Sequence, residues 1–247
     1  MKKLIILLTL FAAFHSKAIG QEQSVRKYRF GMSLNPQYSY RIYYAKKDFQ
    51  FAKKLYDSTE TGKITYAVGS FAERSLSEKL TFRVGLNFMS GGFRTKKKTF
   101  TWGSDNNNGQ IQIDPDPTIP REGYFVYNHQ YFEIPIDFQY FLSKNQHFYF
   151  NLGVAPNFNI HNSVTSHWFF IDGRKDVKKM EDKQTQYQKV GFTFQLGMGY
   201  NIKISEKITL DIQPRFQYFA TPLYKINIGG RANTFLYNAG LQIGVKI

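Results

Sequence analysis

The residues best able to do chemistry in this 247-residue chain are six charges embedded in otherwise apolar or small-residue stretches: Arg41, Arg83, Glu133, Asp137, Asp211 and Arg215. Glu133 and Asp137 stand in Tyr131-Phe132-Glu133-Ile134-Pro135-Ile136-Asp137-Phe138-Gln139-Tyr140, where Phe132, Ile134, Ile136, Phe138 and Tyr140 fall on the opposite face at a period of two. A charge removed from water must pair or neutralise. Charges paired in this way could serve as a gate or proton path, or they could fill an interior. Filling is the plainer use, because folding requires the pairing whether or not anything passes. Glu133 beside Arg83 is the expected pair, since their strands are consecutive.

Other chemistry has weaker support. His129, His147, His161 and His167 lack metal-ligand spacing. Cysteine is absent, which excludes disulfides, thiolate chemistry and a lipid-modified cysteine anchor. Ser166, His167 and Asp172 share a polar stretch, but a nucleophilic triad needs three rigidly positioned groups. The expectation is no enzymatic activity, no metal and no cofactor.

The elements that must carry the six charges read as strands. Proline deletes a ladder donor and carboxylates are costly in an ordinary sheet, so Pro135, Glu133 and Asp137 require a strand with a crowded polar side and a strongly apolar one. A transmembrane β-barrel supplies both. Strands are expected from Phe30 to Ile42, from Ile64 to the Ser77-Glu78-Lys79 turn, and from Leu80 to Phe88; a fourth is the Tyr131 stretch. Others start near Phe148, Val190 and Ile208, and the last runs from Phe235 to Ile247. Polar loops are expected over Lys46 to Lys63, Arg94 to Gly123 and Ser163 to Gln186, with a shorter one at Ile228 to Asn233. Short turns at Ser77, Ser143 and Ser205 alternate with mostly long loops, as in barrels with short periplasmic turns and long outer loops. The fold class is therefore all-β, a transmembrane antiparallel up-and-down β-barrel of about eight strands. A soluble barrel would carry many more Lys and Glu on its polar faces, which here hold mainly Gly, Ser, Thr, Asn and Gln.

Residues 1–20 read as a signal peptide: Met1-Lys2-Lys3, an apolar segment from Leu4 to Phe14, and Ala18-Ile19-Gly20, with cleavage expected after Gly20. Residues 21–247 then form the barrel domain. No later run reaches the roughly 20 apolar residues of a membrane helix. The charge of +15 loses Lys2, Lys3 and Lys17 with the leader and remains basic. An exported chain without a binding module gives no reason to invoke nucleic acid. Lys96, Lys97 and Lys98 follow a strand end directly, where they could contact lipopolysaccharide phosphates. Tyr43, Tyr44, Tyr124, Tyr127, Tyr218 and Tyr237 suit one interfacial girdle, with Tyr140, Phe148 and Tyr200 at the other. Trp102 and Trp168 fall in loops.

Tyr131 to Ile136 resembles the aromatic-x-Glu-Ile-Pro-Leu signature of the small outer-membrane β-barrel family of Bacteroidetes-type bacteria that includes PorT-like proteins. Gly69 to Glu73, Leu76 to Leu80 and the glycine-alternating Leu196 to Tyr200 extend the likeness. Arg83-Val84-Gly85-Leu86-Asn87 departs from the family's frequent Glu-Leu pair, so no role for that carboxylate carries over. Asn238, Gly240, Ile243, Val245 and Ile247 resemble the C-terminal signal read by the barrel-assembly machinery, although an aromatic commonly stands where Ile247 does. The resemblance implies a monomeric outer-membrane protein in contact with lipid. Its task would be structural or loop-mediated, with secretion-system assistance or narrow solute conduction as alternatives.

Overall fold

The computed structural model describes residues 28–100, 118–143, 145–182, 187–225 and 232–247. Its strands are β1 (Tyr28–Ala45), β2 (Glu60–Thr61), β3 (Lys63–Ser75), β4 (Leu80–Thr95), β5 (Lys98–Thr99), β6 (Pro120–Glu133), β7 (Ile136–Phe141), β8 (Phe148–Phe170), β9 (Lys175–Glu181), β10 (Val190–Lys203), β11 (Thr209–Phe219) and β12 (Ala232–Lys246). All pairings are antiparallel. They run β10-β11-β12-β1-β3-β4-β7-β8 and close through β8 onto β10.

The twelve strands exceed the eight expected, yet the ring among the described residues has eight walls. β6 and β7 are one wall interrupted at Pro135: β4 pairs Asn87 with Glu133 and Val84 with Ile136 in unbroken register. The Gly85 amide still donates to the Pro135 carbonyl at 2.9 Å, so the proline removes a single donor and leaves the ladder in place. β2, β5 and β9 are short additions at one end of the ring.

Alternation along each wall puts apolar side chains outside and polar ones inside. Met32, Ile64 and Leu152 are 68%, 76% and 65% exposed, while Gln139, Asn151 and Gln213 are buried in the lumen. A water-soluble fold would reverse this arrangement; a barrel in lipid requires it. The repeated Ser-Glu-Lys segments make matching turns. Ser77 Oγ accepts from the amides of Lys79 and Leu80 at 3.3 and 3.1 Å, and Ser205 Oγ from those of Lys207 and Ile208 at the same distances.

The loop end holds more structure than expected. The supposed Lys46 to Lys63 loop contains a 3-10 turn (Lys47–Phe49), helix α1 (Gln50–Thr59) and β2. The Ser163 to Gln186 loop is largely a hairpin, in which β8 continues to Phe170 and β9 takes the place β10 leaves beside it. β9 is exposed along its whole length and the buried positions of the β8 extension are serines, Ser163 and Ser166, so the apolar alternation that marks the walls is missing from its sequence. Part of the Arg94 to Gly123 expectation, including Trp102, lies outside the described residues, as do the leader and Lys144. Trp168 is in β8, against Phe100 and Phe125.

The girdle is partly corrected. Tyr44, Tyr218 and Tyr237 cluster outside with Phe235 and Phe216. Tyr43, by contrast, is buried, and Tyr127 stacks on buried Phe93 at 4.5 Å.

Candidate functional site: the filled lumen and its mouth

The lumen is crossed by layers of polar side chains, each delivered by an inward position of a different wall. Nearest the short turns, Arg83 on β4 donates through Nε to Glu73 on β3 at 2.7 Å and through Nη2 to Asp211 on β11 at 2.6 Å. Lys246 on β12 lies 3.1 Å from Glu73 and 3.5 Å from Asp211, and donates to Asn201 at 3.0 Å. Tyr149 on β8 donates its hydroxyl to Asp211 at 2.5 Å. Arg29 reaches Glu73 at 3.5 Å. Three cations and two carboxylates from five walls thus share one buried cluster, with the Arg83 guanidinium over the Phe71 ring at 4.2 Å.

A second layer centres on Arg215. Its Nη2 contacts both Asp137 oxygens at 3.0 Å and the Gln195 side-chain Oε1, while Nη1 donates to Gln242 at 2.7 Å. Asn151 adds a donor to Asp137 at 3.2 Å. Above it, Glu133 accepts from Gln195 at 2.8 Å, Gln217 at 3.3 Å and Asn87 at 3.3 Å.

All six sequence-selected charges are therefore inside the barrel, but the expected pair is not formed. Arg83 is level with Asp137 and Glu133 with Asn87, four residues further along β4. At about 3.3 Å per residue that separates the two levels by some 13 Å. Adjacent strands alone do not set the height of a side chain. Arg83 instead reaches across to Glu73 and Asp211, and amides surround Glu133. Glu73 and Lys246 were missed as members of this cluster, although both occupy inward positions by alternation.

Beyond Glu133 the lumen becomes apolar: Met89, Phe93, Tyr131, Phe219 and Leu236 are buried together with Tyr187 and Leu223. Arg41 caps this plug. It donates to Glu60 through Nε at 2.6 Å and through Nη2, and its guanidinium lies over the Phe93 ring at 3.9 Å and the Tyr56 ring at 4.9 Å. Burial pushes the Glu60 carboxyl upward, opposed by the Arg41 hydrogen bond. Over the plug opens a cleft of about 510 Å³ between α1, β5, β6 and the segments bearing Asp182, Tyr187 and Tyr224.

Elsewhere the candidates separate. Ser166 Oγ donates to the Lys178 carbonyl at 3.3 Å, His167 stacks on Tyr124 at 4.4 Å, and Asp172 holds Arg174 at the hairpin tip. The backbone amide of Arg174 is the chief cause that lowers the Asp172 carboxyl below the usual range. The three are not assembled for nucleophilic catalysis. Among the described residues no group of three His, Asp or Glu could hold a metal.

Lys96, Lys97 and Lys98 are exposed at the loop end. Lys97 pairs with Glu122 and also lies 4.5 Å over the Phe169 ring. In β12, Asn238 is buried and donates to Gln217 at 3.3 Å, while Ile243, Val245 and Ile247 face outward. At Gly240 a side chain would meet the Pro36 carbonyl at 2.5 Å. Ile247 exchanges backbone hydrogen bonds with Phe30 at 2.8 and 3.2 Å, completing the β1–β12 seam.

A closed ring, apolar outside and polar within, defines a membrane-spanning β-barrel. Residues 21–218 match the family of outer membrane protein beta-barrel domains, and the chain belongs to that family. Its location is accordingly the outer membrane. Among solved structures it is similar to the Neisserial surface protein A (9% identity, 89% of this chain and 95% of that one, TM-score 0.38). It is also similar to the attachment invasion locus protein Ail of Yersinia pestis (6%, 88% and 99%, 0.35) and to the outer membrane protease OmpT of Escherichia coli (8%, 92% and 98%, 0.33). A search of curated proteins found no significant match.

Proposed function

We infer that this barrel is closed and non-enzymatic, and that its work is done by the surface at its loop end. The observation that carries this reading is the filled lumen: two ionic layers, an amide layer and an apolar plug occupy successive levels. In planar bilayers the purified protein should show no stable open channel. Long-lived conductances would overturn the reading and favour solute passage.

The leader and the resemblance support two finer statements. Residues 1–20 are a signal peptide, so N-terminal sequencing of the protein from outer membranes should begin at Gln21. The PorT-like motif from Tyr131 to Ile136 supports a second reading, that of an accessory in protein secretion. A secretion-machinery component that co-purifies stably from mildly solubilised membranes would favour it over a stand-alone surface role.

A further inference from the structure

We propose that the cleft at the loop end is a binding site for a short, uncharged oligosaccharide. This rests on the reading above, that the loop end rather than the lumen does the work, and it names the ligand class. The cleft's volume of about 510 Å³ lies within the roughly 300–1,000 Å³ of small-molecule sites. Tyr56, Phe100, Phe125, Tyr127, Tyr187 and Tyr224 contribute rings to its lining, with Thr59 and Thr95 between them. Such a lining suits a ligand with apolar C–H faces and polar edges, as a sugar ring has. A hydrocarbon would strip water from the phenol, threonine and charged groups without replacing their hydrogen bonds.

Charge balance argues for an uncharged ligand. Two cations and two carboxylates line the cleft: Arg41, Lys98, Glu60 and Asp182. Arg41 and Glu60 neutralise one another, and Asp182 accepts from the Tyr187 hydroxyl at 2.6 Å. Among the described residues no excess of one sign draws an ionic ligand inward. Lys96, Lys97 and Lys98 are exposed, and Lys98 alone of the three reaches the lining.

Part of the cleft is pre-arranged. Tyr56 is presented by α1, its ring 4.9 Å from Tyr43 and beneath the same guanidinium that covers Phe93. Tyr127 is stacked on Phe93, and Tyr187 packs on Tyr224 at 5.1 Å. Rings held by the plug lose little freedom when a ligand arrives.

The test uses the full-length protein in detergent micelles, with saturation-transfer NMR against maltotriose, cellotriose and triacetylchitotriose, and trigalacturonate as the anionic counterpart. At least one neutral trisaccharide should receive saturation at its ring protons. Tyr56→Ala and Phe125→Ala should each weaken that binding about tenfold, while Phe51→Ala, on α1 but outside the lining, should not. Heat-modifiable migration of each variant confirms its folding. No transfer to any neutral trisaccharide at millimolar concentration, preferential binding of trigalacturonate, or equal binding by all variants would overturn the proposal. Silent bilayers together with absent saccharide binding would sink this inference alone, whereas conducting bilayers would sink the closed-barrel reading beneath it.

Discussion

Arg83 is the residue on which the turn-end cluster most depends, because it donates at 2.7 and 2.6 Å to carboxylates on two separated walls, Glu73 and Asp211, whereas the Lys246 ammonium stands 3.1 and 3.5 Å from the same two groups. Removing one partner of a buried ion pair costs about 3–5 kcal/mol, against about 0–1 kcal/mol for an exposed pair such as Lys97–Glu122. Arg83→Ala should therefore destabilise the folded barrel by about 3–5 kcal/mol in urea titrations monitored by gel migration. In a double-mutant cycle Arg83 should couple to Glu73 but be additive with Glu133 within about 0.5 kcal/mol. Coupling to Glu133 instead would mean that the levels assigned to these side chains are wrong. At the outer surface, changing Lys96, Lys97 and Lys98 to Gln together should weaken lipopolysaccharide binding at low salt, with the difference shrinking as salt rises. Near an anionic surface each cation contributes about 1 kcal/mol, and Lys97 is already paired, so the loss should approach 2 kcal/mol, not 3.

Strands in this barrel are positioned by what lies between them. Gly199 on β10 faces Tyr149 on β8, and a Cβ there would stand 2.1 Å from the ring's Cζ. Tyr149 cannot easily withdraw, because its hydroxyl is bound to Asp211 across the lumen. Gly199→Ala should accordingly cost about 1–3 kcal/mol through overpacking, read as a lower melting temperature of the folded band. Tyr149→Phe in the same background would lose the tether and should recover part of that loss. An unchanged melting temperature in Gly199→Ala would show that Tyr149 is free to move. Helix α1 contributes differently: it has no buried residue, and its main tie to the barrel is Tyr56 against Tyr43 and Arg41. It follows that truncating α1 should affect the mouth far more than the walls.

For the whole molecule, the turn-end cluster ties the last strand to the first ones. β12 closes the ring on β1 by backbone pairing, and Lys246 extends from it to Glu73 and Asp211. The cluster holds three cations against two carboxylates, so losing either Lys246 or Arg83 leaves equal numbers, but Arg83 makes the shorter contacts to both walls, 2.7 and 2.6 Å against 3.1 and 3.5 Å for Lys246. Lys246→Met should thus cost clearly less than Arg83→Ala, and both should fold. A Lys246→Met barrel less stable than Arg83→Ala would place the lysine, not the arginine, at the centre of the network.

The barrel itself was legible in the sequence because lipid and a narrow lumen impose opposite chemistry on alternate residues, and that period survives in every wall from β1 to β12. The Ser-Glu-Lys turns were legible for a similarly local reason, since one serine oxygen satisfies two following amides. Which charges meet was not legible. Alternation assigns a face, but the pairing register sets the height, and only the closed ring shows that Arg83 lies across from Asp211 and not beside Glu133. The same holds for the loop end. Helix α1 and the β8–β9 hairpin lie beyond the walls of the ring, so no lipid-facing period marks them. The aromatic cleft gathers residues from β1, α1, β6 and beyond, which are neighbours only once the walls have closed.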